Sequence, residues 1–159
     1  MKVLTVLVPT YNVEKYLRRC LDSLLLPEVL EEIEVLVVND GSKDGSADIA
    51  RAYEKKYPQT VVFVDKENGG HGSTINVGIE KAQGTYFKVL DSDDWVNIGD
   101  FIEFVKRLKE ETADAVICDY RKEHVYNGKS EYFEYKDLED GKKYNLNEID
   151  LNILHGEYF

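Results

Sequence analysis

The feature that most constrains the fold is an alternation of short apolar runs with longer segments patterned for helices. Residues 3–8, 33–38, 61–64 and 86–90 are apolar and rich in branched side chains, which indicates buried strands, and 115–118 would add a fifth. Strands that alternate with helices favour right-handed crossovers and a mostly parallel sheet. The sequence therefore predicts an α/β, Rossmann-like domain with helices on both faces of the sheet.

Helix boundaries are predicted from caps and breakers. We expect Asn12 to cap the first helix and Ser46 the second. After a polar, glycine-rich loop over residues 65–72, the third helix should run from about Ser73 to Ala82. A fourth follows Trp95, and its apolar positions recur at helical spacing: Ile98, Phe101, Ile102, Val105 and Leu108.

The character of the sequence changes after residue 120. Asn127-Gly128 lies between tyrosine-rich arms over residues 124–135, which predicts a β-hairpin. Beyond it, a weak apolar pattern predicts a short helix. That pattern comprises Leu146, Ile149, Leu151, Ile153 and Leu154.

Charge and composition exclude some partners. The chain carries 20 basic and 31 acidic residues, a net charge of −11, which argues against binding nucleic acid or an anionic membrane. The apolar run near Met1 is too short for a signal peptide, so we expect a soluble chain that meets membranes only through regions outside it. Cys20 and Cys118 lie in apolar segments and are expected to be buried free thiols, as in a reducing cytoplasm.

The fourth strand leads directly into Asp91-Ser92-Asp93-Asp94. Three close carboxylates repel one another unless a cation neutralises them, and Mg²⁺ typically takes one or two carboxylates together with substrate phosphates. The alternative is a solvated acidic turn in which an Asp caps the next helix. The position after a strand favours the metal site, because ligands of such sheets bind beyond the carboxyl ends of the strands.

Polar residues also follow the first two strands. After the first, Tyr11 could stack on a base and Thr10 could hydrogen-bond it, or residues 10–12 could merely start a helix. After the second, Asp40 could accept a hydrogen bond from a base N–H or a ribose hydroxyl. An Asx-turn that stabilises the glycine turn is the alternative for Asp40.

The third strand is followed by residues 68–73, NGGHGS. Its glycines would let backbone N–H groups approach a phosphate closely. This is not the dinucleotide fingerprint, which belongs after the first strand. His71 could touch a phosphate or be incidental.

Together these motifs resemble the family 2 glycosyltransferases over roughly the first 100 residues. The motifs are residues 8–17, VPTYNVEKYL; residues 37–46, VVNDGSKDGS; residues 68–70, NGG, with residues 76–79, NVGI; and residues 90–95, LDSDDW.

The resemblance implies a GT-A-type fold, a nucleotide-diphosphate sugar donor, most often UDP-linked, and Mg²⁺ or Mn²⁺. Thr10, Tyr11 and Asp40 would hold the nucleoside, Asp91 would face the ribose or sugar, and Asp93 would ligate the metal together with Asp91. The full set of expected substrate-binding residues is Pro9, Thr10, Tyr11, Glu14, Asp40, Asn68, Gly70, His71, Asp91 and Ser92.

The implied reaction is inverting transfer to a hydroxyl of a glycan or lipid-linked acceptor, in surface polysaccharide or cell-wall glycan synthesis. Its catalytic base is expected on an acidic motif beyond Phe159, because Glu148 and Asp150 look like helix-surface residues. We therefore expect a nucleotide-sugar-binding domain over residues 1–120, and over 121–159 a hairpin with the start of a truncated acceptor-side region. The expected location is the cytoplasm, and a longer protein could lie at the inner face of the plasma membrane. Whether the protein forms a homo-oligomer stays open.

Two positions depart from the family pattern: Asn39, where Asp is frequent, and Ile75, where Arg is frequent. Ile75 removes one phosphate or base contact, which leaves the donor nucleotide open. Two other functions also stay open. A sugar nucleotidyltransferase would need a basic, glycine-rich motif after the first strand, which residues 9–12 lack. A non-catalytic nucleotide-binding module is the other.

Overall fold

The structure, a computed structural model, describes residues 1–124, 126–145 and 147. It contains two compact units, of which the first spans Met1–Glu111 and the second begins at Thr112. The functional boundary expected after residue 120 stays a prediction.

Four parallel strands form the sheet of the first unit, in the spatial order β3-β2-β1-β4. Strand order therefore reverses between β1 and β4, and in α/β sheets the ligand crevice opens at such a point. Both central strands are buried along their whole length. The strands are β1 Leu4–Thr10, β2 Ile33–Asp40, β3 Val61–Lys66 and β4 Tyr86–Val89.

Helices cover both faces of this sheet, as predicted. Alternate residues of a strand point to opposite faces, and the core divides accordingly: Val6 and Val8 belong to a cluster with Leu17, while Leu7 belongs to another against which Ile75 packs. The helices are α1 Glu14–Leu24, α2 Ser46–Lys56, α3 His71–Lys81 and α4 Ile98–Leu108.

Helix α3 packs closely on the sheet at Gly78. A Cβ at this position would lie 2.6 Å from Leu7 Cδ2, well inside van der Waals contact. Glycine thus lets α3 approach β1. The helix begins at His71, two residues before the expected Ser73, so His71 and Gly72 belong to its first turn rather than to the preceding loop.

The predicted fifth strand over residues 115–118 is wrong for the described chain, because these residues belong to no strand. Val116 and Ile117 are 41% and 42% exposed. An apolar, branched segment forms a strand only where an adjacent strand pairs with its backbone. The sequence of the segment alone does not show whether such a strand is present. The expectation for the thiols is correct for Cys20, which is buried, and wrong for Cys118, which is exposed.

The hairpin predicted around Asn127-Gly128 is confirmed in the second unit. Strand β5, Tyr120–His124, pairs antiparallel with β6, Lys129–Phe133. Gly128 has φ +67°, a backbone conformation that glycine adopts at little cost. The apolar residues that predict a later helix lie outside the described residues, as do Glu148 and Asp150. No helix in the described part of the chain combines the length and apolar character that crossing a bilayer requires.

Candidate functional site

A cleft of about 480 Å³ opens at the carboxyl ends of the strands in the first unit. Its volume is typical of small-ligand pockets. Every residue expected from the sequence to bind substrate or metal lines it, except Glu14, and Val13 and Thr74 line it as well. The fold thus brings four separate sequence motifs together, although their roles stay predictions.

The loop after β1 is held by the loop after β2. Asn12 lies between them with φ +53°, a conformation that Asn tolerates better than most residues. Its backbone N–H donates to Ser42 Oγ at 3.0 Å, and its Oδ1 accepts the Lys43 N–H at 2.7 Å. The expected role of Asn12 as a helix cap is therefore wrong, because its side chain bridges the two loops instead.

The start of α1 is capped by Asp44, in the loop after β2, and by Ser46, at the start of α2. The Val13 N–H donates to Ser46 Oγ and the Glu14 N–H to Asp44 Oδ2, both at 3.0 Å. In return Glu14 Oε2 accepts the Gly45 N–H at 2.8 Å, so Glu14 faces this loop and does not line the cleft. Ser46 is correspondingly the first residue of α2 rather than its cap. Burial would raise the pKa of Asp44, but hydrogen bonds from Ser46 and Glu14 hold it below its ordinary value.

Thr10 and Tyr11 present different surfaces to the cleft. Thr10 is buried, and its hydroxyl donates to the Val8 carbonyl at 3.1 Å. Tyr11 is 50% exposed, so one side of the cleft carries an accessible aromatic ring. A ring in this position can stack on a planar base.

Asp40 is almost fully buried at 3% exposure, yet it borders the cleft. Its Oδ1 accepts the Gly69 N–H at 2.9 Å and its Oδ2 the Gly70 N–H at 2.8 Å, and Lys66 pairs with Oδ1. Burial would raise the pKa of Asp40, but these hydrogen bonds and the lysine charge hold it below its ordinary value. Asp40 is therefore a fixed carboxylate that can only accept hydrogen bonds.

The glycine-rich loop is shaped around Asp40. Asn68 Nδ2 donates to the Asp40 carbonyl at 3.0 Å, and Gly70 has φ +83°. Helix α3 starts directly after Gly70, with the exposed His71 in its first turn. The amino end of a helix favours negatively charged groups, and Gly70 and His71 both line the cleft.

The acidic segment after β4 forms a different part of the cleft. Asp91 and Asp93 are exposed, Ser92 is buried, and the Asp94 N–H donates to the Asp91 carbonyl at 2.9 Å. Asp91 Oδ1 lies 3.9 Å from His71 Nε2. Burial, followed by the charges of Asp93 and Asp91, raises the pKa of Asp94.

The next helix is not capped from this segment. Asn97 Oδ1 accepts the Gly99 N–H at 3.0 Å and the Asp100 N–H at 3.3 Å at the start of α4. The expectation that an Asp of this segment caps α4 is therefore wrong, whereas the exposure of Asp91 and Asp93 fits both a solvated acidic turn and a cation site.

The donor set around the acidic segment is sparse. Among the described residues, no cluster of three or more His, Cys, Asp or Glu side chains is arranged to hold a metal ion. Two exposed carboxylates in a cleft instead match the pattern by which Mg²⁺ binds one or two protein carboxylates and completes its shell with phosphate and water. The residues fit a cation that arrives with a phosphorylated ligand.

Asn39 and Ile75, the two departures from the family pattern, face neighbours within the fold. Asn39 Nδ2 donates to Asp65 Oδ1 at 2.7 Å, and Asp65 also pairs with Arg51 at 2.7 Å. Ile75 packs against the cluster that contains Leu7. Lys66, which the sequence does not single out, lies at a strand end, and the rule that locates Asp40 could have found it.

A parallel sheet whose strand order reverses between β1 and β4, with a cleft at that point, defines the class of open α/β domains that bind their ligands at the carboxyl ends of the strands. The family described as Glycosyl transferase family 2 matches residues 5–156. The chain belongs to this family. The predicted family and fold class are confirmed.

Individual relatives and solved structures are consistent with membership of this family. The minor teichoic acid biosynthesis protein GgaB of Bacillus subtilis (strain 168) is 41% identical over 98 residues, which cover 61% of this chain and 11% of GgaB. TarS 1-349 of S. aureus in complex with UDP-GlcNAc is 34% identical with a TM-score of 0.59, covering 69% of this chain and 32% of TarS. The mannosyltransferase PcManGT of Pyrobaculum calidifontis, in complex with GDP-Man and Mn²⁺, is 27% identical with a TM-score of 0.58, covering 65% of this chain and 31% of PcManGT. The chain spans between about a tenth and two fifths of the length of the curated relatives that it matches.

Proposed function

We propose that the cleft binds a nucleotide-diphosphate sugar, namely a UDP-sugar, as the donor site of a metal-dependent, inverting glycosyltransferase. The observation that carries this proposal is that Asp40 and Tyr11 share one cleft with Asp91 and Asp93. Asp40 and Tyr11 suit a nucleoside, whereas Asp91 and Asp93 suit a diphosphate with its cation. The glycosyltransferase family and the UDP-GlcNAc bound to TarS support the same assignment.

At the nucleoside end, we assign recognition of the base to Asp40 and Tyr11. Asp40 is a carboxylate with a lowered pKa, so the group it meets must donate a hydrogen bond. The imide N–H of uracil does so, whereas the corresponding ring nitrogen of cytosine is an acceptor. Tyr11 would stack on the base, since its ring is half exposed at the cleft. We place Thr10 and Pro9 beneath it as the buried wall of this end.

At the phosphate end, we assign the first turn of α3, with Gly70 and His71, to the diphosphate. Asp93 and Asp91 would hold Mg²⁺ or Mn²⁺, and Mn²⁺ accompanies the donor in PcManGT. The cation, when bound, would neutralise the charge that develops on the leaving diphosphate. Ser92, Asn68 and the remaining lining residues would shape the space between the two ends.

The reaction that follows is a single displacement. The oxygen of an acceptor hydroxyl attacks the anomeric carbon, the bond from that carbon to the diphosphate oxygen breaks, and configuration inverts. A carboxylate base takes the hydroxyl proton. We assign that role to no described residue.

For the biological setting, we propose transfer to a glycan or lipid-linked acceptor in the assembly of a surface polysaccharide or cell-wall glycan, on the cytoplasmic side of the membrane. The name of GgaB, which places that relative in teichoic acid synthesis, supports a cell-wall polymer. The match to Glycosyl transferase family 2 and the likeness to the mannosyltransferase PcManGT favour transfer of a sugar over synthesis of the activated sugar. No observation favours a nucleotidyltransferase.

The decisive experiment is calorimetric titration of UDP into the chain, with Mn²⁺ and with EDTA. We expect binding that requires Mn²⁺ and that Asp93→Ala abolishes. Asp48→Ala is the matched control, because Asp48 is an exposed aspartate on α2 outside the cleft. UDP binding of equal strength in EDTA, or unchanged binding by Asp93→Ala, would contradict the assigned site.

A further inference from the structure

Lys66 lies at the carboxyl end of β3 and is not among the residues expected to bind substrate. Its Nζ pairs with Asp40 Oδ1 and donates to the Glu67 carbonyl at 2.6 Å and to Ser73 Oγ at 2.9 Å. An ammonium group has three donors, and each of these three is used. Its side chain is only 21% exposed, so Lys66 connects β2, the glycine-rich loop and α3 from a largely buried position.

We propose that Lys66 is a positioning residue for the donor nucleotide: it fixes the Asp40 carboxylate and the Gly69–Gly70 turn in the arrangement that receives the nucleoside. This inference rests on the proposed function of the cleft. Lys66 does not line the cleft, whereas Asp40 does. Lys66 therefore acts through Asp40 and not by touching the ligand.

The hydrogen bonds of Asp40 support this role. An ionised carboxylate offers about four acceptor sites. Lys66 and the Gly69 N–H occupy two at Oδ1, and the Gly70 N–H occupies one at Oδ2. Among the described residues no other donor reaches these two oxygens, so one acceptor site remains, at Oδ2, for a donor on the ligand. By saturating Oδ1, Lys66 restricts the ligand to a single oxygen and hence to a single orientation.

The loop depends on the same contact. Ser73 Oγ accepts from Lys66 and donates to the Gly70 carbonyl at 2.7 Å, so the lysine also orients the residue that closes the turn. A side chain at Gly69 would collide with this arrangement, because a Cβ there would lie 2.8 Å from Ser73 Oγ and 3.1 Å from Lys66 Nζ. The glycine, the serine and the lysine thus form one packed unit beneath Asp40.

Removing the lysine charge should expose the effect of burial on Asp40. Burial raises the pKa of this carboxyl, and without Lys66 only the two glycine N–H groups oppose it. A protonated Asp40 would place its O–H opposite the N–H of the base, and two donors form no hydrogen bond with each other. Other charged groups of the cleft are His71 from α3 and Asp91 and Asp93 from the segment after β4. These groups are the same residues in wild type and in a Lys66 variant. The pH dependence of the ratio of wild-type to variant affinity therefore reports on the protonation of Asp40.

The test is calorimetric titration of UDP with Mn²⁺ into the full chain, the Lys66→Met variant and a Lys109→Met control, from pH 7 to pH 5. Lys109 is exposed and pairs with Glu32 at 2.9 Å. We expect Lys66→Met to weaken UDP binding about tenfold to a hundredfold at pH 7, the usual effect of losing a hydrogen bond to a charged group. The ratio to wild type should widen as the pH falls, and Lys109→Met should bind like wild type.

The outcomes separate two failures. If wild-type protein does not bind UDP, the proposed function is wrong. If wild type binds and Lys66→Met binds equally well at every pH, the role of Lys66 is overturned. A loss of the same size at every pH overturns it too, since a merely structural contact would produce that result. Should Lys66→Met not fold, as judged by circular dichroism, Lys66→Gln decides, because it keeps an N–H donor but no charge.

Discussion

The two ends of the cleft differ in how their polar groups are satisfied. Around Asp40, the carboxylate, the glycine N–H groups and Lys66 are bonded to one another, and the loops after β1 and β2 cap each other's backbone. In the segment after β4, the Asp93 carboxylate has no hydrogen-bond or ion-pair partner among the described residues, and the Asp91 carboxylate has only His71 at 3.9 Å. The Asp40 carboxylate is bonded within the fold at all but one of its acceptor sites, whereas the carboxylates of Asp91 and Asp93 leave their charges to be balanced by a ligand.

This difference indicates which residues raise the stability of the fold and which lower it. Buried polar groups that are fully bonded rigidify a structure, so the Asp40 end should contribute to stability and present a preformed surface to a ligand. Close, unpaired carboxylates repel, so the acidic end should lower stability until a cation arrives. Residues retained at the expense of stability are typical of functional sites.

The largest expected effect comes from breaking the Asp40 end. Asp40→Ala should lower the free energy of unfolding by about 3–5 kcal/mol, because it leaves Lys66 and two backbone N–H groups partly buried without their acceptor. Urea denaturation followed by circular dichroism measures this. Asp48→Ala, at an exposed position, should cost less than about 1 kcal/mol. Equal losses in the two variants would remove the distinction between the ends.

A smaller effect is expected from acid, which removes the charge of Asp40 but keeps its side chain. Its pKa is lower in the folded protein than in the unfolded chain. The stability that it contributes is therefore fully present above the unfolded value of about 3.9 and is lost as the pH falls through the folded value. Urea midpoints between pH 6 and pH 3 should fall more steeply for wild type than for Asp40→Asn, and parallel curves would contradict this.

A still smaller loss of stability is expected where the loops after β1 and β2 cap each other. Ser46→Ala removes the acceptor of the Val13 N–H and should cost about 1–2 kcal/mol, the usual cost of losing a cap. Ser42→Ala removes the acceptor of the Asn12 N–H at an exposed position and should cost less. Thermal unfolding of both variants ranks them, and a larger loss for Ser42→Ala would show that burial does not set the strength of these contacts.

Most of the fold could be predicted because periodicity encodes it. The strands and the helices of the first unit follow from apolar patterns, and the Asn127-Gly128 hairpin from its turn residues. Residues 115–118 have the composition of a strand without forming one, since strand formation depends on a partner that lies elsewhere in the chain. The capping predictions for Asn12 and Ser46 failed for a related reason: both side chains bond to the opposite loop, and sequence proximity does not reveal that contact.

The site was predictable in location and less so in detail. Because the carboxyl ends of parallel strands meet at one edge, residues that follow different strands converge in the cleft. Glu14 belongs to the same motif as Tyr11 but faces the neighbouring loop. The strand-end rule places Lys66 at the same edge of the sheet, but its role does not follow from the sequence, because that role comes from its contact with Asp40, 26 positions away.

The smallest expected effect tests the acidic end. Asp93→Asn should raise the free energy of unfolding in EDTA by a few tenths of a kcal/mol, since it removes repulsion with Asp91 and Asp94 at an exposed position where such terms are weak. Asp48→Asn serves as the control for the substitution itself. Adding Mn²⁺ with UDP should reverse the order, because only wild type gains stability from the bound ligand. If Asp93→Asn is less stable than wild type in EDTA, Asp93 stabilises the fold, and the contrast between the two ends fails.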